Sequence, residues 1–251
     1  MDGNELGINV IIGSCGLIGQ AVRQKLTEST DLNYFLDLNE TADSSQNIKI
    51  DVVNYQEVNR FLDNLFQPDE NNTEINIIYL AARDAKLGEK WQKFENFTPS
   101  LWEEYAVVNQ TALLSFSSSV IRLFIQRRCF SSLQFILFPS MYNYLGPDQR
   151  AYSSWPSNVK PFEYIGTKAL TRDLSKYINS TYGHMNIRSN CIIPHLVTDD
   201  GIAPDITLLS KTLSGRGTEA LEIAEVVEFL IESPKNLIGQ EIFVDGGWMN
   251  Q

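Results

Sequence analysis

The chain has 251 residues, 43% of them hydrophobic and 11% aromatic, enough for one large core on a prior of ~150 residues per domain. Lys and Arg number 20 and Asp and Glu 31, a net charge of −11, which argues against a nucleic-acid partner because phosphate neutralisation needs clustered cations. Two histidines exclude a histidine-rich metal site, and three cysteines (Cys15, Cys129, Cys191) without a CxxC indicate neither a disulfide framework nor a zinc site. The opening Met-Asp-Gly-Asn-Glu lacks the basic segment of a secretory signal, and no run approaches the ~20 apolar residues of a membrane span. The expectation is a soluble, cytoplasmic protein with no membrane partner.

Short apolar runs alternate with helical stretches along the chain. Strands are expected at Ile8–Gly13, Asn33–Leu38, Ile48–Val52, Ile75–Ala81, Leu133–Ser140, Ile187–Pro194 and Glu241–Asp245. Helices are expected at Leu17–Glu28, Tyr55–Phe66, Leu101–Arg128, Glu163–Tyr182 and Thr218–Glu232. Strands apolar nearly throughout belong to a parallel sheet covered on both faces. The fold class is therefore α/β: a doubly wound, Rossmann-type parallel sheet of about seven strands in a single domain, residues 1–251. Three segments break the alternation: Ala82–Ser100, Met141–Pro161 and Thr198–Gly217. Each follows a strand directly, so all three should border one pocket beyond the carboxyl ends of the strands, unless they are plain surface loops.

The first strand ends in Gly13-Ser14-Cys15-Gly16-Leu17-Ile18-Gly19 and a helix follows. Glycines there permit a tight turn, a close backbone approach to pyrophosphate and close helix–strand packing. Backbone N–H groups at the helix start bind anions without a cationic side chain. Asp37, ending the second strand, can accept both ribose hydroxyls of an adenosine and repels a 2′-phosphate, which favours NAD over NADP; otherwise it is a solvated loop carboxylate. Asp51, followed by Val52, either accepts from an adenine amino group or caps the next helix. Ala81-Ala82 either lets backbone lie against the cofactor or reflects ordinary close packing.

Tyr164 and Lys168 lie one helical turn apart on one face. A phenol is a poor base near neutrality until an ammonium stabilises its phenolate, and Lys168 can supply that charge. Ser140, ending the fifth strand, can hold the reacting oxygen. This makes a proton donor and acceptor for an alcohol–carbonyl couple, with a nicotinamide giving or taking hydride. Together with Asp37, Asp51, Asn109 in Val108-Asn109-Gln110, the run Ile187–Pro194 and Gly239–Gly247, these residues resemble the short-chain dehydrogenase/reductase family over essentially the whole chain. The resemblance implies that Asn109 holds a water relaying protons to Lys168, where the plain alternative is a mid-helix Asn bonding a nearby carbonyl. It also implies cofactor contacts from Pro194, His195 and Val197, and a homodimer or homotetramer.

Departures from the family pattern bear on the substrate. The glycine spacing is GxxGxxG, Tyr79-Leu80-Ala81-Ala82-Arg83 replaces the usual Asn-Asn-Ala-Gly, and His195 stands where Gly is normal. His195 is either a pocket wall and substrate contact or local packing. The long Ser140-to-Tyr164 interval and the Ala82–Ser100 loop resemble a subgroup found in bacterial surface-glycan and flagellin-glycan gene sets, whose substrates are sugars, sugar phosphates or nucleotide sugars. Arg83, Lys86, Arg150 and Lys160 could hold a phosphate, and Tyr142, Tyr144, Tyr152 and Trp155 could stack on a sugar ring. The same residues also suit a charged surface or a subunit interface. The leading expectation is an NAD-dependent oxidoreductase with a small-molecule, carbohydrate-derived substrate contacted by Arg83, Tyr142, Arg150 and His195. The alternatives are a reductase of acyl or small ketone substrates, and a non-catalytic nicotinamide sensor or scaffold.

Overall fold

The structure, a computed structural model, describes residues 7–39, 46–67, 73–84, 91, 93–152, 159–198 and 206–250. Lys86 and Trp155 lie outside them. The first half runs β1 (Ile8–Ile12), α1 (Leu17–Thr27), β2 (Leu32–Asp37), β3 (Asn47–Lys49), α2 (Tyr55–Leu65) and β4 (Glu74–Tyr79). Next come α3 (Pro99–Ala106), a π-helical turn (Val107–Ala112), α4 (Leu113–Arg127), β5 (Ser132–Leu137) and α5 (Phe162–Tyr182). The chain continues through β6 (Ile187–Pro194), β7 (Val197–Thr198), α6 (Ile206–Leu209), β8 (Thr218–Glu219), α7 (Ala220–Glu232) and β9 (Glu241–Val244). Seven strands form one parallel sheet in the order β3-β2-β1-β4-β5-β6-β9, and β7 pairs with β8. The Rossmann-type α/β architecture is as the sequence implies. The strand order reverses direction between β1 and β4, the place where such sheets open a ligand crevice.

Alternate strand residues feed two cores. Val10, Ile12, Ile77, Phe135 and Ile193 pack under α2, α4 and α5 with Leu62, Phe116, Val120 and Ile178. Ile11, Phe35, Ile78, Ile136 and Ile192 pack under α1 and α7 with Val22, Leu26, Ile223 and Val227. Each such fully buried aliphatic side chain contributes about 1.5–3 kcal/mol.

One polar row crosses these apolar strands. The register places Asn33, Asn9, Asn76, Gln134 and Arg188 side by side on β2, β1, β4, β5 and β6, all buried. Asn9 Nδ2 donates to Asn33 Oδ1 at 2.9 Å, and Asn76 Nδ2 donates to Asn9 Oδ1 at 2.9 Å. Asn33 and Gln134 donate onward to the carbonyls of Leu26 in α1 and Leu230 in α7, and Arg188 Nε donates to Gln134 Oε1. A one-residue slip of any strand would push these amides into the opposite core unpaired.

Several boundaries differ from the sequence reading: the expected strand Ile48–Val52 forms only as Asn47–Lys49, and the fifth ends at Leu137, so Ser140 lies just beyond it and not at its end. The expected helix Leu101–Arg128 begins earlier, at Pro99, because Thr98 caps it by accepting from the Leu101 N–H at 3.3 Å and proline suits the first helical position. That helix is also interrupted by the π-helical turn at Val107–Ala112. Thr218–Glu219 is not helical but pairs with β7, leaving α7 to start at Ala220. No helix among the described residues is long and apolar enough to cross a membrane.

Replacing Asn9 by Leu should leave the Asn33 and Asn76 amides short of partners and lower stability by ~1–3 kcal/mol. Urea unfolding measures this, and an unchanged midpoint would mean that the row carries no register energy.

Candidate active site

The glycine loop joins β1 to α1 at the crevice. Gly13 has φ +87°, and a Cβ on it would fall 2.6 Å from the Ala81 backbone nitrogen. At Gly19 a Cβ would meet the Gly13 carbonyl oxygen at 2.2 Å, so α1 can rest on the turn only with glycine there. At Gly16 the nearest atom is 3.5 Å away, an ordinary contact, so the protein's own packing does not demand glycine. What its absent side chain leaves is open approach to the helix start. Gly16 is the N-cap of α1 and supplies no side-chain cap, so the first-turn N–H groups of Leu17, Ile18 and Gly19 are oriented for an anion. Ser14 is buried beneath the loop, while Leu17 is exposed. This cradle fits a dinucleotide pyrophosphate.

Asp37 closes the loop from the side. Its Oδ2 accepts from the Cys15 N–H at 2.9 Å and its Oδ1 from the Asn39 N–H at 2.9 Å, so it is more than a solvated carboxylate. Asp51 accepts from the Val53 N–H at 3.0 Å. It is not the cap of α2, because Asn54 takes that place with bonds from Gln56 and Glu57. Val52 packs at the edge of the α2/α4 core. Ala81 lies against Gly13 and packs on the same core, whereas Ala82 is exposed. Pro194 ends β6 and Val197 begins β7, its side chain against the α1/α7 core. Among the described residues, no group of three His, Cys, Asp or Glu could hold a metal ion.

Ser140, Tyr164 and Lys168 converge at the carboxyl end of β5. The Ser140 hydroxyl favours the ionised form of the Tyr164 phenol and accepts from the Tyr142 N–H at 3.3 Å. Asn143, a residue the sequence reading passed over, fixes this pair. Its Oδ1 accepts from the Ser140 N–H at 3.1 Å, and its Nδ2 donates to the Ile165 carbonyl at 2.9 Å, tying the serine to the first turn of α5. Burial pushes the Tyr164 phenol above its ordinary range, and the Asp84 carboxylate adds to this, while the Ser140 bond opposes it. Burial lowers Lys168 to about 8, against the pull of Asp84. At neutral pH the phenol therefore keeps its proton and the lysine is mostly charged.

Asn109 sits in the π-helical turn, a distortion frequent at functional sites. Its Nδ2 donates to the Arg83 carbonyl at 3.0 Å and to Thr167 Oγ1 at 2.9 Å, and its Oδ1 accepts from the Arg83 N–H at 2.7 Å. Both amide donors are thus committed to joining the end of β4 to α5.

The surrounding loops rearrange the expected roles of the cations. Arg83 pairs with Glu104 at 3.0 Å. Arg150, 78% exposed, pairs with Asp148 at 2.9 Å. Lys160 pairs with Asp84 at 2.8 Å through both carboxylate oxygens. The expected phosphate-binding cluster thus already has carboxylate partners among its described members. Lys160 Nζ also lies 4.4 Å from the Tyr164 ring centroid and 5.6 Å from that of Trp91. Trp91 meets Tyr152 edge-on, and the Tyr152 and Tyr142 hydroxyls hydrogen-bond each other. Asp84 and Trp91 had no flag in the sequence. The only signal for Asp84 was a charged pair, Arg83-Asp84, directly after a strand. Tyr144, another stacking candidate, turns instead to Phe243 and Arg172.

His195 is 7% exposed, 3.9 Å from the Trp248 ring and 6.3 Å from that of Tyr142. Burial depresses it to about 4, so it is neutral near pH 7, and its Nε2 has no hydrogen-bond partner among the described residues.

No family model and no curated protein matches this sequence. Solved structures do match in fold. A short-chain dehydrogenase from Leptospira borgpetersenii with bound NAD+ is 22% identical, with 97% of this chain and 93% of that one covered and a TM-score of 0.81. A 3-oxoacyl-[acyl-carrier protein] reductase from Brucella melitensis is 19% identical (96% and 90% covered, TM-score 0.77). An aldohexose dehydrogenase from Thermoplasma acidophilum is 18% identical (98% and 95% covered, TM-score 0.75). At these identities the likeness establishes a shared fold over nearly the full chain.

Gly19→Ala should destabilise the protein by ~1–3 kcal/mol through overpacking against the Gly13 carbonyl, while Gly16→Ala should cost far less and act on cofactor affinity instead. Thermal unfolding with and without NADH separates the two, and equal losses of stability would contradict the division of roles.

Proposed function

We propose that this chain is a nicotinamide-dependent oxidoreductase of the short-chain dehydrogenase/reductase type, interconverting a secondary hydroxyl and a ketone. The observation that carries the reading is the Ser140 hydroxyl acting on the Tyr164 phenol, with Lys168 one turn further along α5, at the same sheet edge as the glycine loop. When bound, the nicotinamide supplies or accepts the hydride.

The protein's own part in ketone reduction is proton transfer. Ser140 Oγ and Tyr164 Oη hold the carbonyl oxygen, and Tyr164 donates its proton as negative charge develops there. Charged Lys168 stabilises the phenolate left behind. Oxidation of the alcohol runs the same steps in reverse. Asn109 serves as a positioning residue, because its bonds to Arg83 and Thr167 hold the end of β4 against α5. Both side-chain N–H donors are taken, but Oδ1 keeps a second lone pair to which the relay water implied by the family resemblance can donate.

Residues Gly13 to Gly19 hold the pyrophosphate and Asp37 the adenosine ribose, with Asp51, Val52, Ala81, Ala82, Pro194, His195 and Val197 around the remainder. The negative charge of Asp37 at the loop favours NAD over NADP. The aromatic and polar wall of Tyr142, Tyr152, Lys160 and Asp84 suits a sugar derivative, and the likeness in fold to an aldohexose dehydrogenase agrees with that choice. Reduction of an acyl-linked or small ketone is the second reading, supported by the likeness in fold to the Brucella reductase.

A second copy of the chain is the expected partner, in a homodimer or homotetramer. Phe94, Phe97 and Phe162 are exposed, the Phe94 ring meets both of the others, and Trp102 is stacked on Phe162. Such an apolar surface is costly to leave in water. Light scattering at micromolar concentration should find more than one subunit, and a monomer would contradict the proposal.

The activity is tested by NAD reduction at 340 nm across sugars, sugar phosphates, nucleotide sugars and simple alcohols. Tyr164→Phe should cut turnover by ~100-fold or more, the usual contribution of a general acid–base, with NADH affinity nearly unchanged. Asp37→Ala should weaken NAD binding and narrow its advantage over NADP. Wild-type turnover in the first variant, or unchanged cofactor preference in the second, would reject the corresponding role.

A further inference from the structure

We infer that Lys160 and Asp84 form a subsite for a neutral polyol, binding hydroxyl groups next to the reacting carbon. The inference rests on the reading of Tyr164 as the reacting group and narrows its substrate from sugars in general to those carrying free hydroxyls, not phosphate, at this position. The pair joins two loops across the site. Lys160 precedes α5 and Asp84 follows β4, and the ammonium lies over the Tyr164 ring at 4.4 Å. A substrate whose oxygen sits between Ser140 and Tyr164 must therefore extend past this ion pair or away from it.

Its composition matches a hydroxyl. An alcohol both donates and accepts, and a carboxylate beside an ammonium offers one acceptor group and one donor group side by side. Asp84 takes two of the three ammonium N–H donors, leaving a third for a substrate oxygen. The Asp84 side chain is 42% exposed. Tyr142 and Tyr152 add phenols, and rings suit the apolar face of a sugar.

The same composition disfavours a phosphate. Asp84 sets a negative charge next to the cation, and Arg83, Arg150 and Lys211 each have a carboxylate partner as well. An entering phosphate would have to displace a carboxylate already held by two hydrogen bonds.

The test is ligand-detected NMR titration of glucose, galactose, mannose and myo-inositol, and of the three hexose 6-phosphates, against wild type, Asp84→Asn and Lys160→Gln, with and without NADH. Thermal melts confirm that the variants are folded, and Lys160→Arg serves as the conservative replacement. At least one neutral polyol should bind wild type as tightly as any phosphate or more so. It should weaken by about tenfold or more in Asp84→Asn and Lys160→Gln, the loss of one charge-assisted hydrogen bond, with recovery in Lys160→Arg. Tighter binding of a 6-phosphate, polyol affinities within twofold of wild type in both variants, or no polyol binding at all would overturn the inference. Polyol binding without any NAD reduction would instead reject the oxidoreductase reading and leave the subsite standing.

Discussion

The polar row across the sheet is the constraint on which the rest of the structure depends. Strands buried on both faces are apolar in nearly every position, so hydrophobicity alone discriminates poorly between one register and the next. Asn33, Asn9 and Asn76 resolve that ambiguity, because only one alignment satisfies all their amides. Gln134 and Arg188 extend the row over two further strands, and the carbonyls of Leu26 and Leu230 fasten α1 and α7 to it. With register set at the amino half of the sheet, the carboxyl ends of β1, β2, β4, β5 and β6 arrive at one edge. Gly13, Asp37, Ala81, Ser140 and Pro194 are neighbours for that reason.

At that edge the site is held by side chains that do no chemistry themselves. Asn143 joins Ser140 to the first turn of α5, and Asn109 joins the end of β4 to Thr167 in the same helix. Both work through amides, whose donors and acceptor can bridge two backbone segments at once. The phenol and the ammonium of α5 are thereby oriented against β5 by bonds from two sides. The burial that accompanies this packing raises Tyr164 and lowers Lys168, so the phenol holds its proton more tightly than the ammonium does.

The charge pattern around the site also has a physical logic. In a chain of net charge −11, nearby cations find carboxylates readily, and Arg83, Arg150, Lys160 and Lys211 have all done so. Counting basic residues in a loop therefore overstates the positive potential it offers a ligand. His195 follows a parallel rule: buried against Trp248 and Tyr142 it loses its charge.

The sequence by itself determined the order of strands and helices, the glycine turn, Asp37, and the collinear set Asn109, Ser140, Tyr164 and Lys168. These are local features: apolar period, glycine spacing and one-turn separation on a helix depend only on near neighbours in the chain. It also displayed a polar residue early in each of five strands without saying that they share a row. That alignment, the capping of α2 by Asn54 instead of Asp51, the π-helical turn at Asn109, and the pairing of Asp84 with Lys160 were decided by the tertiary structure. The reason is the same in each case. A hydrogen bond or ion pair between segments many residues apart depends on which backbone groups the packed core has left in reach, and no residue type or spacing carries that information.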